Sequence, residues 1–102
     1  MVFGRGSIQR AGRRLSKVRI DLARAQEELV VAEQQFGAWS EEDEEQRVRV
    51  LVSDNLSEQK QWEQTHRHAE LMQRSVGAAR RRVADLQREE SELLARLSEG
   101  PS

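Results

Sequence analysis

From Ile8 onward, apolar and small residues recur at alternating intervals of three and four: Ile8, Ala11, Leu15, Val18, Leu22, Ala25, Leu29, Ala32, Phe36 and Trp39. This spacing winds one stripe along an α-helix with a heptad period, large residues at one seam position and mostly alanine at the other. A second run keeps the same rhythm through Ala69, Met72, Val76, Ala79, Val83, Leu86, Glu90, Leu93 and Leu97. Glu90 is its one polar member. Between the runs lies Val52-Ser53-Asp54-Asn55-Leu56-Ser57-Glu58, where Ser, Asp and Asn favour a turn and Asn55 with Glu58 has capping-box spacing.

Folding the chain back at Asp54 sets Leu15 against Leu93, Leu22 against Leu86, Ala25 against Val83, Ala32 against Val76, Phe36 against Met72 and Trp39 against Ala69. Several of these pairs match a small residue with a larger one, as close packing prefers. The pattern predicts an all-α, antiparallel two-helix coiled-coil hairpin. Its arms are expected at about 7–52 and 56–98, with the bend near 53–55. Residues 1–6, with Gly4 and Gly6, are expected to be flexible, and Ser7 to cap the first helix. Gly100 and Pro101 should end the second helix and leave 99–102 flexible.

The stretch 40–52 does not carry the stripe onward in residue type. The seam positions there hold Asp43, Gln46, Val50 and Ser53, whereas the apolar residues are Val48, Leu51 and Val52, which suggests a shift of phase. Ser40 followed by Glu41, Glu42 and Asp43 also reads as a fresh helix start, and Gly37 as a break before it. Two shapes follow: one helix distorted near 37–43, which is favoured, or a short third helix over 40–52 near the bend. Trp39 and Trp62 lie towards the bend, either packed in a small cluster that Val48, Leu51, Val52 and Leu56 complete or exposed as anchors for a partner.

Composition agrees with long helices. Charged residues make up 34% and aromatics 4%, and the one proline is Pro101. Without cysteine the chain has no disulfides and no thiolate metal ligands. No stretch reaches the ~18 apolar residues of a membrane span, and no apolar signal core follows the N-terminal arginines. A cytoplasmic protein is expected.

Charge changes the picture more than composition does, because it is polarised. Residues 1–24 hold seven basic groups and one acid; residues 25–63 hold eleven acids and three basic groups. Two candidate surfaces result. The first is a partner-binding tip of Trp39, Glu41, Glu42, Asp43, Glu44, Glu45 and Trp62, acids flanked by the indoles that protein interfaces favour. The second is a basic patch of Arg5, Arg10, Arg13, Arg14, Lys17 and Arg19, of the kind that binds phosphates. His66 and His68 are two apart and diverge around a helix, so they cannot share a metal ion on one face.

No Gly-rich phosphate loop, nucleophile constellation or metal motif is present. The expectation is a non-enzymatic protein with no cofactor, acting as a protein-interaction adaptor or assembly subunit, with a protein partner or a second copy as homodimer. Two alternatives stand beside it. One is a regulator of transcription machinery presenting the acidic tip, which resembles, in architecture alone, factors that enter the side channel of bacterial RNA polymerase. The other is a nucleic-acid binder using the basic N-terminal end. Ile20, Val30, Val31 and Leu94 fall off the seam and add apolar surface to whichever role applies.

Overall fold

The computed structural model describes residues 5–99. These are entirely helical apart from one short connection: α1 spans Arg5–Val52 and α2 spans Leu56–Glu99. The two long helices pack against each other, and there is no strand among the described residues. The flexible ends expected at 1–4 and 100–102, with the stop at Gly100 and Pro101, lie outside the described residues. Arg5, Gly6 and Glu99, expected to be loose, are helical. The reason is cooperativity: once a long helix exists, adding a residue gains a hydrogen bond without a new nucleus, which offsets the roughly 1 kcal/mol penalty of a glycine. Ser7 is therefore not a cap. It sits within α1, and its Oγ accepts a bond from Arg10 at 3.2 Å.

The connection is built as its residues suggest. Ser53 N donates to the Val50 carbonyl at 3.4 Å, and Asn55 N donates to Ser53 Oγ at 3.2 Å. Asn55 Oδ1 then accepts from the backbone N–H groups of Ser57 at 2.9 Å and Glu58 at 3.4 Å. Asn55 is thus the N-cap of α2, satisfying donors that the first helical turn leaves without intrahelical partners.

The chain divides into two compact units, one joining the residues up to Glu27 with those from Arg80, the other comprising Glu28–Ala79. In the first unit, Ala11, Leu15, Val18, Leu22 and Ala25 of α1 and Val83, Leu86 and Leu93 of α2 are buried, Val18 completely. These are the heptad positions. Glu90 stands on the same stripe, half-buried, and turns its carboxylate sideways to Arg19 at 3.3 Å, while the neighbouring Glu89 takes Arg14 at 2.6 Å. Each fully buried Val or Leu contributes roughly 1.5–3 kcal/mol, against at most about 1 kcal/mol for an exposed ion pair. The apolar seam therefore holds this unit together, and the ion pairs orient it.

In the second unit, Ala32, Ala69 and Val76 are buried, and Leu29, Phe36, Met72 and Ala79 are half-buried. Beyond Trp39 the structure departs from the expected shift of phase. α1 passes through Gly37 and Ser40 unbroken, with no third helix over 40–52. Its inward positions remain Asp43, Gln46 and Val50, with Gln46 buried, whereas Val48, Leu51 and Val52 are 49%, 71% and 85% exposed. Leu56 is exposed as well, so the apolar cluster expected around Trp39 and Trp62 does not form. A continuous helix fixes the angular position of each residue, and the frame established by residues 29–36 is carried forward whatever side chain arrives.

Candidate functional site

The seam of the Glu28–Ala79 unit becomes polar where α1 brings Asp43 and Gln46 inward. Trp62 and His66 are four apart on α2, so they share a face. Both reach Asp43. Trp62 Nε1 donates to Asp43 Oδ1 at 2.8 Å, and His66 Nδ1 lies 3.0 Å from Asp43 Oδ2. Both carboxylate oxygens are thereby engaged. On its other side, His66 Nε2 lies 3.0 Å from Glu70 Oε1, one turn further along α2. An imidazole can donate from both nitrogens only when protonated. The bond to Asp43 accordingly raises the His66 pKa above its ordinary 6.5; burial opposes this, and the charges of Asp43 and Glu70 add to the rise. The Trp62 and His66 rings lie 5.5 Å apart at 34°.

Thr65 and Gln46 are buried as well, each 7% exposed, and line one groove. Gln46 Nε2 donates to Glu42 Oε1 at 2.8 Å, but Gln46 Oε1 is buried with no hydrogen-bond partner. Trp39 packs its ring on His68, centroid to centroid 4.1 Å at 55°. The two histidines thus diverge as their spacing requires, one facing Asp43 and Glu70, the other Trp39.

The expected tip residues divide among several contacts. Asp43 and Trp62 are brought together inside the seam, and Glu42 serves Gln46. Glu44 pairs with Arg47 at 2.9 Å, which holds the Glu44 carboxyl below its usual range and the Arg47 guanidinium above its own. Glu41 and Glu45 remain on the outer face with Val48 and Arg49, along a shallow depression. A helix turns 100° per residue, so five consecutive acids must point around it. The sequence reading does not single out Glu70 or Thr65; it has Gln46 only as a seam position and His66 only beside His68. The available signal was Asp43 on an unbroken heptad frame, opposite an aromatic and a histidine one turn apart.

The basic patch is partly consumed within its own unit. Arg14 bonds Glu89, which raises the guanidinium pKa and lowers that of the carboxyl. Arg19 takes Glu90, Lys17 reaches Asp21 at 3.7 Å, and Arg10 bonds Ser7. Arg5 and Arg13 are exposed. Among the described residues, no group of three or more His, Asp or Glu side chains is placed to hold a metal ion, and no helix is long and apolar enough to cross a membrane. Comparison with protein families, curated proteins and solved structures finds no match to this chain.

Proposed function

We propose that the chain is a non-enzymatic antiparallel coiled-coil hairpin that serves as a protein-interaction adaptor or assembly subunit. The observation that carries this reading is apolar surface left over after the seam is filled. Val30, Val31 and Leu71 are each more than half exposed in the Glu28–Ala79 unit, and Ile20 and Leu94 are 62% and 41% exposed in the other. Residues 30 and 31 lie on the outer side of α1, where no residue of the seam can cover them. Exposed apolar side chains that no element of the chain covers are what association would bury.

Sedimentation equilibrium of the full chain at micromolar concentration tests the proposal. Wild type should show a species larger than the monomer. Val30→Gln combined with Val31→Gln keeps helix-forming side chains and should shift the distribution toward monomer at unchanged helical circular dichroism. A wild type that stays monomeric throughout overturns self-assembly.

The alternative of an acidic surface offered to a basic partner draws support from the groove beside Trp39, whose lining includes Glu42 and no lysine or arginine. Nucleic-acid binding through the basic end draws less, since Arg14, Lys17 and Arg19 are already paired with acids of the same chain.

A further inference from the structure

Where Trp39 meets His68, the Glu28–Ala79 unit carries an open groove of about 500 Å³ walled by both helices. α1 contributes Trp39, Glu42 and Gln46; α2 contributes Gln64, Thr65 and His68 together with a second glutamine. The chemistry is one-sided. Carboxylate, amide and hydroxyl oxygens gather beside an indole that is 36% exposed, and no permanent cation is among them. Gln46 supplies an independent sign. It is 7% exposed, its amide nitrogen is held by Glu42, and its Oε1 has no donor. Buried carbonyl oxygens are almost always bonded, so an orphan on a residue that lines the groove marks a place where a donor is missing.

We infer that this groove receives an arginine side chain from a basic segment of a protein partner. The inference rests on the interaction-module reading above and names the chemistry of the partner. A guanidinium is planar and always charged, and carries five N–H donors and no acceptor. One face lies against the Trp39 ring by cation–π attraction, while its N–H fork serves the Glu42 carboxylate and the Gln46 oxygen together. An anion would meet Glu42, and an apolar side chain would leave the Gln46 oxygen stranded. Lysine offers a point charge without the planar fork. The surrounding sequence favours the same sign of partner, since residues 25–63 carry eleven acids against three basic groups, and such a field steers cations toward the groove.

Two-dimensional ¹H–¹⁵N spectra of the full chain test this. The probe is acetyl-Gly-Arg-Gly-amide, compared with its citrulline and lysine counterparts. The Trp39 indole cross-peak is assigned by its loss in Trp39→Phe. The arginine peptide should shift the Trp39 indole and the Gln46 side-chain amide along a saturable curve. Citrulline, which keeps the shape without the charge, should not, and lysine should bind more weakly. Glu42→Gln should weaken arginine binding about fivefold or more, whereas Glu45→Gln, on the outer face, should leave it unchanged. Equal binding of the three peptides, or equal losses in the two Glu variants, overturns the assignment. Sedimentation of the same samples separates the two claims. An intact assembly with no arginine response counts against the groove, and a monomer that binds arginine counts against self-assembly.

Discussion

Gln46 occupies a seam position that leucine would fill at similar volume without stranding an oxygen. An unsatisfied buried polar group costs about 1–3 kcal/mol, and Gln46 keeps only its bond to Glu42 as compensation. Gln46→Leu should therefore stabilise the chain by about 1 kcal/mol, read as a higher urea midpoint at unchanged slope. A destabilised variant would show that the amide is better satisfied than its geometry indicates. A residue kept at a stability loss is what a binding role produces, so the same substitution should also abolish the arginine response. His66 makes a separate claim through pH. Its folded pKa is raised above 6.5, chiefly by Asp43. The groups facing it are Asp43 across the seam and, on α2, Glu70 and Trp62. A raised value means that the protonated form is the stabilised one. That stability is present in full below the ordinary imidazole value and is lost as pH climbs through the raised one. The melting temperatures of wild type and His66→Gln should thus differ most near about pH 5 and converge by about pH 8. A gap that stays constant or widens with pH would refute the bracket.

α1 is the element over which the sequence leaves two shapes open, one favoured helix or a break before a short third helix, and Gly37 is where they can be told apart. A helix that ended at Gly37 would need that residue's conformational freedom, and alanine there would be harmful. In the structure the helix is continuous, and a Cβ added at Gly37 would meet no heavy atom within 4 Å. Gly37→Ala should then raise stability by about 0.5–1 kcal/mol, the helix-propensity difference alone. Loss of stability or helicity in thermal unfolding would restore the broken-helix reading. Much of the fold was legible because it depends on register, which residue spacing encodes directly. The stripes at 8–36 and 69–97, the connection and the Asn55 cap all follow from periodicity and turn chemistry. Over 40–52 the favoured single helix is what the structure has, and only the expected shift of phase differs, because residue type there does not report phase. Asp43 and Gln46 looked like departures from the stripe, yet they are its members, made tolerable by Trp62, His66 and Glu42. Those partners lie on another element or another turn, so their compensation was invisible until the helices were placed. The five acids 41–45 spread around α1 for the complementary reason, since neighbours in sequence turn to different sides of a helix.

At the scale of the whole molecule, the question is what two helices can bury. Each offers one stripe to the other, and the described residues contain no third element to cover what remains. Small domains without disulfides or metals have little apolar area to set against the conformational entropy of ordering the chain, and this chain has no cysteine. The unsatisfied surface is apolar: Ile20, Val30, Val31, Leu71 and Leu94 stay exposed while the seam positions are filled. Association that buries them adds stability to the folded state alone, and the addition grows with concentration by mass action. For a folded dimer dissociating into unfolded chains, each tenfold increase in protein adds about 1.4 kcal/mol per dimer. Over a hundredfold range the melting midpoint should then climb by roughly 5 °C or more for a chain of this size. Val30→Gln with Val31→Gln should flatten that slope and lower the midpoint most at high concentration. Val48→Gln, by contrast, near the connection, should leave the slope unchanged if the contact centres on residues 30 and 31. A midpoint independent of concentration in wild type would mean that the two helices suffice by themselves, and the exposed valines would then have to be explained by a different protein.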